Sequence, residues 1–286
     1  MASSEARRAA VVGSPVAHSL SPVLHGAAYA ALGLDGWTFE RIDCPADELA
    51  ARVAALTRDW VGLAVTMPDK RAALALADER TERAIAVGAA NTLVRLSDGR
   101  WRADCTDVAG VTGALVAAGG YQRTPGATCL VLGAGGTAAA ALAGLAELDV
   151  SDVIMVVREP ARATEARATA ERVGITLDVR RWADADLGAL AAKSAVVVST
   201  VPAAGADPHA DELAAAPCLL DVIYHPWPTP LADAVRRQGG RLATGLDMLL
   251  HQAFGQVEQF TGRPAPRAEM RDALRTATGG TLPLPL

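Results

Sequence analysis

Short apolar runs alternate along this chain with longer segments whose apolar positions recur at helical spacing. The pattern is most regular from Ala127-Thr-Cys-Leu-Val-Leu132, a run closed by Gly133-Ala-Gly-Gly136 and followed by an alanine-rich segment over residues 137–148. That order predicts strand, glycine turn and helix. Further apolar runs at 153–157, 175–179, 196–199, 219–223 and 241–243 have helix-compatible segments between most of them. Such alternation implies a parallel sheet covered by helices on both faces.

Residues 9–12, 38–42 and 63–65 read as strands, with helices over 23–32 and through Leu49. Asp98-Gly99 stands between two strand-like runs and predicts a tight hairpin turn. Residues 248–260 and 268–276 read as helices, and residues 281–286 as a frayed end. The expected plan is an α/β domain over 1–111, a doubly wound dinucleotide-type domain over 112–244, and C-terminal helices over 245–286 that return to the first domain.

Composition narrows the partners. With 51% hydrophobic and 21% charged residues, and no apolar run of membrane-spanning length, the chain reads as soluble. Residues 1–10 include Arg7 and Arg8 but no apolar stretch of a signal peptide, so a cytoplasmic location is expected. A net charge of -5 without a Lys/Arg block disfavours nucleic acid and anionic membranes and favours a small molecule. Cys44, Cys105, Cys129 and Cys218 are far apart, and the five histidines lack ligand spacing, so neither metal nor disulfide framework is expected.

In the glycine turn, Gly133 permits the bend, Gly135 lets backbone N–H groups approach a pyrophosphate, and Gly136 with the alanines permits close helix packing. The next strand ends in Val157-Arg158, with Arg162 beyond. Guanidinium groups there favour a 2′-phosphate, hence NADP; Glu159 is the residue that keeps NAD open.

The polar loops each admit a structural explanation. Ser21 before Pro22 suits a helix N-cap, which leaves Ser19 for a ligand. Lys70 stands at a helix start, where the macrodipole disfavours its charge and Asp69 can compensate. Asn91-Thr92 opens the hairpin, and Thr106 or Asp107 can cap the helix after it.

Their order says more than each alone. The Ser19-Leu-Ser-Pro22 loop, Val65-Thr-Met-Pro-Asp-Lys70, Ala90-Asn-Thr92, Thr106-Asp107, Gly133-Ala-Gly-Gly136, Asp221-Val-Ile-Tyr-His-Pro-Trp-Pro-Thr229-Pro-Leu231 and Gly245-Leu-Asp-Met-Leu-Leu-His-Gln252 follow one another along almost the whole chain. In this series the chain resembles the shikimate dehydrogenases. The resemblance implies a substrate domain followed by a Rossmann-type NADP domain, and interconversion of shikimate and 3-dehydroshikimate in aromatic amino acid biosynthesis. It implies Lys70 and Asp107 as the catalytic pair, with Ser19 and Ser21 on the substrate carboxylate. Thr66, Asn91 and Gln252, with Tyr224, would complete the substrate site. Gly133, Ala134, Gly135, Gly136, Arg158, Arg162, Thr200, Ile223, Gly245 and Met248 would hold the cofactor, in a monomer or homodimer.

The chain departs from the family pattern at Ala64, Cys105 and Val157, and its Ser199-Thr-Val-Pro202 loop is a loose version of the family's. A quinate-using or NAD-preferring relative is the nearest alternative, and a non-catalytic NADP-binding sensor the next.

Overall fold

The computed structural model describes residues 6–286; residues 1–5, part of the segment read above for a targeting signal, lie outside it. The chain forms two compact units. The first runs to Thr106 and takes up residues 250–284 and 286, whereas the second comprises residues 107–249 and 285.

In the first unit the chain forms β1 (Arg7–Gly13), α1 (Ser21–Ala31), β2 (Trp37–Asp43), α2 (Leu49–Ala54), β3 (Trp60–Val65), α3 (Lys70–Leu76), β4 (Glu79–Arg80), α4 (Glu82–Val87), β5 (Thr92–Arg95) and β6 (Trp101–Asp104). The sheet order is β2-β1-β3-β5-β6-β4. Strands β2, β1 and β3 are parallel, and β5 runs antiparallel to both β3 and β6. Period-two alternation sorts the side chains: Ala10, Val12, Leu63, Val65 and Leu93 join one cluster with Leu49, Val53 and Ala73. Their neighbours Ala9 and Val94 pack instead with Phe260.

The hairpin forms, with a different loop. Leu96 N–H donates to Arg100 O, Gly99 N–H donates to Leu96 O, and Gly99 has φ +92°. The connection therefore has three residues, Ser97 to Gly99, in a turn followed by a glycine at positive φ, rather than the two-residue turn expected.

The second unit contains α5 (Asp107–Ala117), β7 (Thr128–Leu132), α6 (Gly136–Glu147), β8 (Asp152–Val157), α7 (Thr164–Val173), β9 (Thr176–Arg181), α8 (Leu187–Lys193), β10 (Val197–Ser199), α9 (Ala203–Ala206), α10 (Ala210–Leu213), β11 (Cys218–Asp221), α11 (Pro230–Arg237) and β12 (Arg241–Thr244). Its sheet is ordered β12-β11-β10-β7-β8-β9, with every pair parallel. Counted within the unit this is 3-2-1-4-5-6, the order of dinucleotide-binding folds, with its switch point between β7 and β10. Cys129, Val131, Val153 and Met155 face one helical layer. Leu130, Leu132, Val156 and Val197 face the other.

The last helices are α12 (Gly245–Thr261) and α13 (Arg267–Ala277), and α13 packs on α1 within the first unit. The C-terminus is not simply frayed, because Leu284 is fully buried.

Candidate active site

Within the first unit, the loops that leave the C-terminal ends of β1 and β3 are stitched together. Thr66 N–H donates to Val12 O and Ser14 N–H donates to Met67 O, each at 2.9 Å. Ala90 N–H then donates to Lys70 O at 2.8 Å, and Val65 N–H to Asn91 O at 2.7 Å. These bonds bring Thr66, half-buried Lys70 and buried Asn91 to one end of the sheet, where ligands of open α/β sheets bind. Lys70 is the first residue of α3, and Asp69 at its N-cap makes no side-chain cap bond. Asp69 is fully buried, neither carboxylate oxygen has a hydrogen-bond partner, and burial raises its pKa.

The serine loop corrects an expectation. The N-cap position of α1 is Leu20, without a side-chain bond, and Ser21 is already inside the helix with Pro22. Ser19 Oγ accepts from Ser21 N–H at 3.3 Å, so the local hydroxyl–backbone bond comes from Ser19 and not from Ser21. Arg41 fixes this loop: its Nε and Nη2 donate to Ser19 O at 2.9 and 2.6 Å. No local sequence signal pointed to Arg41.

Asn91 lies in a buried amide–hydroxyl cluster. Asn91 Nδ2 donates to Thr106 Oγ1 at 2.9 Å and to Gln252 Oε1 at 3.2 Å, and Asn91 Oδ1 accepts from Thr106 N–H at 2.7 Å. Gln256 was missed, although it follows Gln252 by one helical turn on α12. Its Nε2 donates to Asn91 O and Thr92 Oγ1 at 3.1 and 3.0 Å.

Asp107 opens α5 and Tyr224 follows β11, so both belong to the second unit, with the residues expected to hold cofactor. Burial raises the Tyr224 phenol's pKa. Its neighbourhood is shaped by Asp221, whose Oδ2 accepts from Thr229 Oγ1 at 2.6 Å and Oδ1 from Ile223 N–H at 3.2 Å. Thr229 in turn caps α11.

At the switch point Gly133 has φ +98°, and a Cβ there would meet Thr200 Oγ1 at 2.7 Å. Thr200 Oγ1 donates to Leu132 O at 2.7 Å, which closes β10 against the turn. Half-buried Ala134 continues the turn to Gly135, the N-cap of α6, which has no side-chain cap bond. A Cβ at Gly135 or Gly136 would meet nothing within 4 Å. Space thus lies beside uncapped helical N–H groups, as a phosphate requires. Gly136 is therefore not the close-packing glycine expected. That role falls to Gly144, where a Cβ would come within 3.0 Å of Val111 Cγ1 on α5.

Arg158 follows β8, and Arg162 lies in a single 3-10 turn over Pro160–Ala163. Both are exposed, and Glu159 between them pairs with Arg181 Nη2 at 3.8 Å. That pair biases Glu159 toward Arg181 and adds a third guanidinium to the region. Ile223 is half-buried after β11, while Gly245 and Met248 are buried in the first turn of α12. Among the described residues no three His, Cys, Asp or Glu side chains cluster as metal ligands, and no helix is long and apolar enough to cross a membrane.

Two family profiles match: the shikimate dehydrogenase substrate binding domain over residues 11–93, and the shikimate 5'-dehydrogenase C-terminal domain over residues 245–275. The shikimate dehydrogenase (NADP(+)) of Methylobacterium radiotolerans is 40% identical over 93% of this chain and 96% of its own. The chain belongs to the shikimate dehydrogenase family. The crystal structure of Mycobacterium tuberculosis shikimate dehydrogenase superposes with a TM-score of 0.88 at 54% identity, covering 94% of this chain and 99% of that one. The Thermus thermophilus shikimate 5-dehydrogenase, solved with NADP(H) and shikimate, is 31% identical with a TM-score of 0.79, covering 95% and 99%.

Proposed function

We propose that this chain catalyses the reversible NADP-dependent interconversion of shikimate and 3-dehydroshikimate, a step of aromatic amino acid biosynthesis. The observation that carries the reading is the meeting of Thr66, Lys70 and Asn91 at one end of the first sheet, in a member of the shikimate dehydrogenase family. Ser19 and Ser21 hold the substrate carboxylate; Thr66, Asn91 and Gln252 hold the ring hydroxyls, and Tyr224 completes the substrate set. Lys70 Nζ takes the proton from the C3 hydroxyl during oxidation and returns it during reduction. Asp107 supplies the carboxylate of the pair and orients that hydroxyl. Acid–base help of this kind is typically worth about 10²–10⁴ in rate.

NADP, when bound, supplies the hydride chemistry. The open space over Gly135 and Gly136 and the uncapped start of α6 fit its pyrophosphate, with Gly133, Ala134 and Thr200 shaping the turn. Arg158 and Arg162 fit the 2′-phosphate; Ile223, Gly245 and Met248 fit the nicotinamide side. The reading places the enzyme in the cytoplasm as a monomer or homodimer. The test is absorbance at the nicotinamide band with shikimate or quinate and NADP or NAD. Turnover of shikimate with NADP is expected; turnover of quinate with NAD alone, or no turnover, would overturn the reading.

A further inference from the structure

Six side chains of the first unit, His25, Asn91, Thr92, Thr106, Gln252 and Gln256, form a connected buried polar cluster, none more than 5% exposed. Contacts whose donors or acceptors cannot be exchanged fix its direction. The backbone N–H of Thr106 must donate, so Asn91 Oδ1 is the atom facing it and Asn91 Nδ2 faces Gln252 Oε1. The backbone carbonyl of Asn91 must accept, so Gln256 turns Nε2 to it and to Thr92 Oγ1, and Gln256 Oε1 to His25 Nε2 at 3.3 Å. His25 then carries its hydrogen on Nε2. Burial keeps the ring neutral, its pKa lowered to about 3; the ring stacks on Phe39 with centroids 3.9 Å apart, and Nδ1 has no partner. Thr92 Oγ1, accepting from Gln256, donates to Asn91 Oδ1 at 2.9 Å. Donors thus run from His25 through Gln256 and Thr92 to Asn91 Oδ1, and Gln252 Oε1 accepts from Asn91 Nδ2 at 3.2 Å, with Thr106 Oγ1 placed to donate to Gln252 Oε1 at 3.3 Å or to Asn91 Oδ1 at 3.2 Å.

We infer that this chain presets Gln252 as a hydrogen-bond donor to a substrate oxygen, and that Thr92, Gln256 and His25 are positioning residues for it. The inference rests on the reading that Gln252 binds shikimate. Turning the Gln252 amide over would set its Nε2 against Asn91 Nδ2, two donors face to face, in a site where water cannot intervene. The chain thus selects a substrate group that accepts at this position.

Thr92→Val keeps the shape and removes the hydroxyl, whereas Thr92→Ser keeps the hydroxyl. Losing one net hydrogen bond corresponds to roughly a five- to tenfold change. The Michaelis constant for shikimate should therefore rise about that much in Thr92→Val and in Gln256→Leu, with that for NADP unchanged, and Thr92→Ser should restore it. Nitrogen-15 spectra of labelled histidine at neutral pH should show His25 protonated on Nε2 alone. An unchanged Michaelis constant in a folded variant, a failed serine rescue, or a His25 protonated on Nδ1 would overturn the inference. Wild-type protein inactive on shikimate would instead fail the functional reading, a result the histidine spectrum does not depend on.

Discussion

Asp69 gives a prediction that depends on burial and not on the reaction. Its carboxyl is fully buried without a hydrogen-bond partner at the start of α3, close enough to Cys44 for its charge to raise the thiol's pKa. A buried polar group left unsatisfied costs about 1–3 kcal/mol. Burial raises the folded carboxyl's pKa above the ordinary aspartate range, so the folded state binds the proton more tightly than the unfolded chain. The stabilising term is complete below the unfolded pKa and is lost as pH rises through the folded one. Asp69→Asn keeps the shape and removes the titration. Compared with wild type, it should be nearly equal in stability near pH 3.5 and more stable at pH 8, by about 1.4 kcal/mol for each pH unit by which burial has raised the carboxyl. Urea denaturation of both proteins across this range gives the difference directly, since every other titrating group is common to both. A difference that stays flat, or that favours wild type at high pH, would show that Asp69 is charged and satisfied in the folded protein.

Lys70→Ala should lower turnover by roughly two orders of magnitude or more in a protein that still melts normally and binds NADP, as steady-state kinetics and a thermal melt would show. Ser19→Ala and Ser21→Ala should each raise the Michaelis constant for shikimate and leave that for NADP unchanged. Replacing Arg158 and Arg162 together by glutamine should remove most of a preference for NADP of roughly tenfold or greater, because guanidinium–phosphate bonds are lost while the rest of the site remains; catalytic efficiencies with both cofactors decide it. Gly133→Ala should destabilise the second unit by about 2–4 kcal/mol, combining positive φ with overlap on Thr200. Adding Thr200→Ala should recover only the steric part in the same denaturation assay.

The second unit was the more legible in sequence, because strands buried on both faces read as continuous apolar runs and Gly133 to Gly136 marks the switch point. β4, with only two residues, has no period to detect, and α4 is marked mainly by the Thr81 cap and Gly88 at its end. Caps and turns misled where two polar residues compete locally, as at Ser19 and Ser21, or where the close-packing glycine stands apart from the glycine turn, as Gly144 does from Gly136. Candidate site residues could be named from their motifs, whereas Arg41 and the direction of the Gln256 bonds depend on contacts between residues far apart in sequence. Those contacts exist only once the chain has folded.

The four cysteines have a further use. All are buried and none forms a disulfide: Cys44 and Cys105 lie in the first unit, Cys129 and Cys218 in the second. Burial pushes the Cys129 thiol to about 12 and the Cys218 thiol to about 11, so in the closed structure neither forms thiolate at neutral pH. A thiol reagent can therefore modify them only during transient opening, which makes each unit its own built-in clock. Mass-resolved labelling rates at the two pairs would time the breathing of each unit separately, with no probe added to the chain.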